Sequence, residues 1–306
     1  MNARVTTELE DLILLKAEAR GFSFLPRQPV QSLLAGRHAS RLRGRGLAFR
    51  ELRQYHPGDD VRTIDWKATA RLRSPQVRTY DEERERPVLI VVDQRGPMFF
   101  GSRRAMKSVA AAEATALAAW RALDSGDRVG GIVFNEAEVV KITPHRGQAR
   151  ILNLLGQVVR MNQALASAQP PSGDVTLNSV LEGVVRSVSH DHLVVLVSDL
   201  DGADEQTQRL ATRLAAHNDL LVAAIYDPLG AALVGDERMV AIDRGKAYRI
   251  PEGARFSDSF REQFQHLLNH WREIFRDLRV PVLPISTEFP VADQLRSLFG
   301  RSTIPQ

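Results

Sequence analysis

The sequence predicts an α/β protein: a mostly parallel, doubly wound central sheet with helices on both faces, preceded by an N-terminal arm. Three observations carry that reading. Continuous apolar, β-branched runs recur at Val88–Val92, Leu193–Val197 and Leu220–Ile225, the pattern of strands buried on both faces. Segments of helical periodicity alternate with them, as a wrapped parallel sheet requires. No apolar run reaches the ~20 residues that a membrane-spanning helix needs.

The elements follow in chain order. Residues 1–86 form the arm. Leu9, Leu12, Ile13, Leu15 and Ala19 have helical spacing, which Gly21 and Pro26 break. Residues 36–53 are rich in Arg and Gly and read as irregular. A turn follows at Arg53–Asp60, and Val77–Glu83 reads as an exposed strand. The sheet domain spans 87–306. After strand 88–93 come a helix over 103–123 and paired strands 128–134 and 138–142 around Asn135-Glu136. A helix over 148–161 and a Pro/Ser/Gly linker over 166–173 precede a helix over 177–188. Strand 193–197, helix 203–216 and strand 220–226 lead to a hairpin-like excursion over 228–256. A strongly amphipathic helix over 259–278, strand 280–285 and helix 291–299 close the chain.

Composition narrows the function classes. The 306 residues are 43% hydrophobic and 25% charged, so the chain is globular rather than disordered. There is no cysteine, which excludes disulfides, thiolate zinc sites, iron–sulfur clusters and cysteine nucleophiles. The expectation is a soluble, cytoplasmic protein without direct membrane insertion. Net charge is +4, too small to imply nucleic acid by itself. The excess is local: thirteen basic and eight acidic residues lie between Arg37 and Arg86. Most of the cation is arginine, which suits bidentate contacts to carboxylates.

In open parallel sheets, ligands gather at the carboxyl ends of central strands. Asp93 and Asp199 each follow a buried strand, and Thr176 begins a helix after the linker. Two carboxylates and a hydroxyl at one crevice would suit a hard divalent cation such as Mg²⁺. The alternative is that both aspartates cap the helices that follow. The set resembles the metal-ion-dependent adhesion site of von Willebrand factor A domains, which reads Asp-x-Ser-x-Ser, then Thr, then Asp. Here the first element stands as Asp93-Gln94-Arg95-Gly96-Pro97, so Arg95 and Pro97 replace the two serines whose hydroxyls the family uses as ligands. The resemblance implies an adhesion-site pocket that has lost its metal. Mg²⁺ is disfavoured, because a guanidinium beside Asp93 repels the ion and takes its place by a salt bridge. No other cofactor is expected.

Upstream, Arg53-Gln54-Tyr55-His56-Pro57-Gly58-Asp59-Asp60, then Arg62-Thr63-Ile64-Asp65-Trp66, then Ala70-Arg71 is similar to the signature of the MoxR-associated A-domain proteins, catalogued as domain of unknown function number 58. The resemblance runs from about Gly36 to Phe299. It implies a non-enzymatic role beside a MoxR-type AAA+ ATPase, with other A-domain proteins as further partners. Read physically, Arg53, Tyr55, Asp59, Asp60, Arg62, Asp65, Trp66 and Arg71 are either a salt-bridge network holding the arm or a partner-docking surface.

Several patterns are read as decoys. Gly101–Ser108 has phosphate-loop spacing, but Met106 replaces the second glycine and Lys107 lies beyond the strand. His266 and His270 are four apart with no third ligand. His38 with Ser40 and His56 with Asp59 lack a nucleophile elbow. The Arg41–Arg53 run carries one aromatic, Phe49, so nucleic acid is not expected. The sequence thus points to a binding adaptor. A metal-dependent ligand-binding A domain and an Arg-rich nucleic-acid binder are the alternatives.

Overall fold

The computed structural model describes residues 4–20, 47–57, 59–82, 86–230, 240–243, 246–249, 271, 275, 278 and 280–299. The chain divides into two compact units. Gln28–Glu85 form one; Met1–Arg27 and Arg86–Gln306 form the other.

The larger unit is built on a six-stranded sheet. Its strands are β3 (Pro87–Asp93), β4 (Arg128–Phe134), β5 (Val139–His145), β6 (Leu193–Ser198), β7 (Asp219–Tyr226) and β10 (Val282–Ser286), in the order β10-β7-β6-β3-β4-β5. All neighbours run parallel except β5, which pairs antiparallel with β4. The expected mostly parallel sheet with helices on both faces is the observed one.

Period-two alternation assigns the strand residues to two cores. Val88, Ile90 and Val92 face one side with α1 (Leu9–Glu18), α3 (Lys107–Asp124), α4 (Gln148–Leu165) and α7 (Val291–Phe299). Leu89 and Val91 face the other with α5 (Leu177–Ser187), α6 (Glu205–Ala215) and the helical residues Trp271 and Phe275. Helix α3 is alanine-rich, which favours helix and allows close approach to the sheet. Gly131 shows how close the layers lie: a Cβ there would sit 2.5 Å from a Leu154 methyl and 2.9 Å from the Ile90 carbonyl oxygen. A bulkier residue at that point would push α4 off β4.

The first helix belongs to this sheet-bearing unit, although the sequence had grouped it with the arm. Leu12 is fully buried, and the Trp120 indole N–H donates to the Leu12 carbonyl at 2.9 Å. The Lys16 ammonium sits 5.1 Å from the Trp120 ring centroid. An apolar stripe of five residues was legible; the helix it would cover was not.

The smaller unit pairs β1 (Leu47–Gln54) antiparallel with β2 (Gln76–Glu82) and adds α2 (Trp66–Leu72). Residues 47–54 are therefore a strand, where sequence suggested an irregular segment. Their four charged or amide positions, Arg50, Glu51, Arg53 and Gln54, hide the strand pattern. Asp60 caps a 3₁₀ turn at Val61–Thr63, and Asp65 caps α2 by accepting from Lys67 and Ala68 N–H. The Asp65 N–H donates to the Gln76 carbonyl at 2.8 Å, which ties the start of α2 to β2.

A two-stranded antiparallel pair, β8 (Val240–Asp243) with β9 (Lys246–Arg249), lies within the expected excursion. Apart from Trp271, Phe275 and Leu278, the expected helix over 259–278 lies outside the described residues, His266 and His270 included.

Candidate functional site

The carboxyl edge of the sheet gathers four acids. Asp93 ends β3, Asp199 follows β6, Asp227 follows β7, and Glu136 lies between β4 and β5. Asp93 and Asp199 are paired with side-chain cations, Asp227 takes hydroxyl and backbone donors, and Glu136 Oε1 accepts from the Gly96 N–H at 2.5 Å.

Asp93 is fully buried. Its Oδ1 accepts from the Arg95 backbone N–H and from Arg95 Nε, each at 3.0 Å. Its Oδ2 accepts from Arg95 Nη2 and the Ser198 hydroxyl, each at 2.7 Å. The guanidinium thus grips the carboxylate with both prongs, the strongest form of side-chain ion pair. Arg95 Nη2 also donates to the Asp201 carbonyl at 3.0 Å, and the guanidinium lies 5.5 Å from the Phe134 ring centroid. Pro97 sits at the start of the 3₁₀ turn Gly96–Met98, where its fixed φ suits the first residues of a helical turn.

Burial pushes the Asp93 carboxyl up from its ordinary value, with the Arg95 contacts opposing and the nearby Asp199 charge adding to the rise. Burial also works against the Arg95 charge. The hydrogen bonds and charge of Asp93, then Asp199 and Asp201, outweigh it and raise the guanidinium's pKa.

Asp199 has its own cation. Lys107, the first residue of α3, places Nζ 2.5 Å from Asp199 Oδ2, while Oδ1 accepts from Asp201 N–H at 3.0 Å. Between them, Leu200 holds a left-handed φ of 62° and donates its N–H to Ser198 Oγ at 3.0 Å. Lys107, read from sequence as a decoy, is therefore part of the crevice.

Thr176 takes a different place. It is exposed and caps α5, its Oγ1 accepting from Ser179 N–H at 3.2 Å. Asp93 and Asp199 each spend both oxygens on protein donors, and the Thr176 hydroxyl is spent on a helix end. This donor set does not fit a divalent cation. Among the described residues, no group of three or more His, Cys, Asp or Glu side chains is placed to hold a metal.

Two further groups escaped the sequence reading. Asp227 is buried and accepts from Ser102 N–H at 2.8 Å, Ser102 Oγ at 2.5 Å, Leu229 N–H at 2.9 Å and the Thr287 hydroxyl. It ties the ends of β7 and β10 to the loop before α3. The signal was present, since Leu220–Ile225 followed by Tyr226-Asp227 repeats the strand-then-Asp pattern of Asp93. The second group is a buried relay. Thr7 N–H donates to Asn162 Oδ1 (3.0 Å), Asn162 Nδ2 to Gln94 Oε1 (3.2 Å), and Gln94 Nε2 to the Ser108 carbonyl (3.0 Å). It links the N-terminal segment to the residue between Asp93 and Arg95.

The signature residues fall within the smaller unit and sort into two sets. Arg53 grips Asp59 with both prongs at 2.8 and 2.6 Å, and Asp59 also accepts from His56 N–H at 2.9 Å. These contacts, the Arg53 bond first, hold the Asp59 carboxyl down at about 2. Asp60 and Asp65 are caps, and Tyr55 is half-buried with its N–H on the Pro75 carbonyl. Arg62, Trp66 and Arg71 are exposed. His38, Ser40, Arg41 and the glycines up to Gly46 lie outside the described residues.

Together these features define an α/β protein with a smaller unit inserted ahead of its central strand. The family model described as "Protein of unknown function DUF58" matches residues 51–273, and the chain belongs to that family. Uncharacterised proteins of Mycobacterium bovis and Mycobacterium tuberculosis are each 28% identical over 291 residues, covering 94% of this chain and 90% of theirs. Among solved structures, a von Willebrand factor type A protein from Catenulispora acidiphila matches with a TM-score of 0.39 and 13% identity. That match covers 73% of this chain and 43% of the solved one, so the chain spans less than half of that protein. No described helix is long and apolar enough to cross a membrane.

Proposed function

We propose that this protein is a non-enzymatic, protein-binding adaptor that works with a MoxR-type AAA+ ATPase in assembly, maturation or remodelling of a client. The observation that carries the reading is the pairing of both crevice carboxylates with side-chain cations, Asp93 with Arg95 and Asp199 with Lys107. An acid held this way is neither an open metal ligand nor a free general base. It keeps the loops at the sheet edge in one arrangement, which suits recognition rather than turnover. The signature around Asp59 and Trp66 supports the choice of partner through its resemblance to MoxR-associated proteins.

The test is co-purification of this chain with a MoxR-type ATPase from the same genome, with and without ATP. A stoichiometric complex in either state is the expected result. No complex in either state would overturn the reading.

A further inference from the structure

Helix α2 presents a two-by-two patch. Trp66, Lys67, Ala70 and Arg71 are exposed, whereas Ala68 and Thr69 are half-buried against their own unit. Positions i, i+1, i+4 and i+5 share one face of a helix, so these four side chains form a continuous surface. Trp66 is 70% exposed, and the residue one turn along on the same face is the small Ala70. Arg62, on the adjoining 3₁₀ turn, is exposed beside Val61, itself 60% exposed.

Charge in this segment is divided unevenly. The acids are engaged locally: Asp59 by Arg53 and His56 N–H, Asp60 by Arg62 N–H, Asp65 by the first turn of α2. The side chains of Arg62, Lys67 and Arg71 make no hydrogen bond or ion pair among the described residues. What the unit turns outward is therefore an aromatic anchor surrounded by uncompensated cations.

We propose that this face of α2 is a docking surface for a protein partner with an apolar pocket rimmed by carboxylates. Trp66 fills the pocket; Arg62, Lys67 and Arg71 meet the rim. The proposal rests on the adaptor reading and names the surface and the partner's chemistry. A tryptophan offers a large area to bury, and Arg forms bidentate pairs with carboxylates, which is why both dominate the energetics of protein interfaces. The neighbouring exposed side chains, Val61 and Leu72, are aliphatic and offer no π-face to a nucleobase, which favours a protein over a nucleic acid.

The chain supplies its own probe. Of its three tryptophans, Trp120 and Trp271 are 2% and 4% exposed, so acrylamide quenching of the intact protein reads Trp66. The expected result is one readily quenched tryptophan in the free chain, lost in Trp66→Phe and shielded by the MoxR-type ATPase. Binding should weaken at least tenfold in Trp66→Ala and in Arg62→Glu/Arg71→Glu. If the ATPase binds but Trp66 stays open and both variants bind normally, the surface is wrong while the adaptor reading stands. If the ATPase does not bind in either nucleotide state, the adaptor reading fails. The surface is then judged by poly-L-glutamate against an oligothymidylate at physiological salt. Shielding of Trp66 by the polyglutamate, lost in Arg62→Glu/Arg71→Glu, supports it. Shielding by the oligonucleotide alone, by neither, or an already shielded indole in the free chain overturns it.

Discussion

Arg95 and Asp93 stand two residues apart, yet the guanidinium folds back to take both oxygens of a carboxylate that water does not reach. The pair closes its own loop at the end of β3, and it holds two charges that would each be costly alone. Removing one partner from a buried pair costs about 3–5 kcal/mol, whereas replacing both by apolar groups is often neutral. Asp93→Ala should therefore destabilise the protein by about that amount. Asp93→Ala/Arg95→Met should recover most of the loss. Urea unfolding of the three proteins checks this; equal losses in the single and double variants would show that the charge is not the cause.

Metal binding should be weak. With each oxygen of Asp93 and Asp199 already holding a protein donor, Mg²⁺ or Mn²⁺ would have to displace a guanidinium or an ammonium. Calorimetry on the wild-type protein should give no micromolar binding. Micromolar affinity that vanishes in Asp93→Ala would contradict the arrangement described.

The relay from Thr7 to Gln94 should matter more than its surface-free position suggests. Asn162→Leu leaves the Thr7 N–H and Gln94 Oε1 unpaired in a dry interior, at about 1–3 kcal/mol for each unsatisfied group. Amide exchange of Gln94, Arg95 and Gly96 should speed up while β6 and β7 stay protected. Exchange that changes only near Thr7 would show that the crevice loop does not depend on the N-terminal segment.

Acid should loosen the smaller unit at a definable pH. Asp59 titrates at about 2 when folded against an ordinary value of 3.8. A depressed carboxylate contributes stability that is fully present above its ordinary value and lost as pH falls from there toward 2. In Arg53→Ala the Asp59 midpoint should rise but stop short of 3.8, because the His56 N–H remains bonded. Carboxyl-carbon NMR titration reads both midpoints; an unchanged midpoint in the variant would remove Arg53 as the main cause.

The sequence exposed what is local and hid what is distant. The Asp93–Arg95 pair is legible because both residues lie in one short loop after one buried run. Lys107 and Asp199 are 92 positions apart, and only the parallel order β6-β3 with α3 above it brings them together. Asn162 looks like any polar residue of an amphipathic helix until α4 docks. The α/β class was readable because strands buried on both faces need long apolar runs. Strand β1 was not, because Arg50, Glu51, Arg53 and Gln54 break any apolar run along it. Asp59, Asp60 and Asp65 were visible as a dense acidic string, but their division into ion pair and caps depends on where the turns fall.

Strand β3 begins two residues after the smaller unit ends at Glu85, and it ends at Asp93. It is also flanked on both sides, paired with β4 over Pro87–Asp93 and with β6 over Val88–Val92. A tensile load entering from the smaller unit would run along this strand and act on both hydrogen-bond ladders in shear. Bonds loaded in shear break together rather than one by one as in a peeled edge strand. Traction passed from residue 85 into β3 would therefore meet two parallel hydrogen-bond ladders at once.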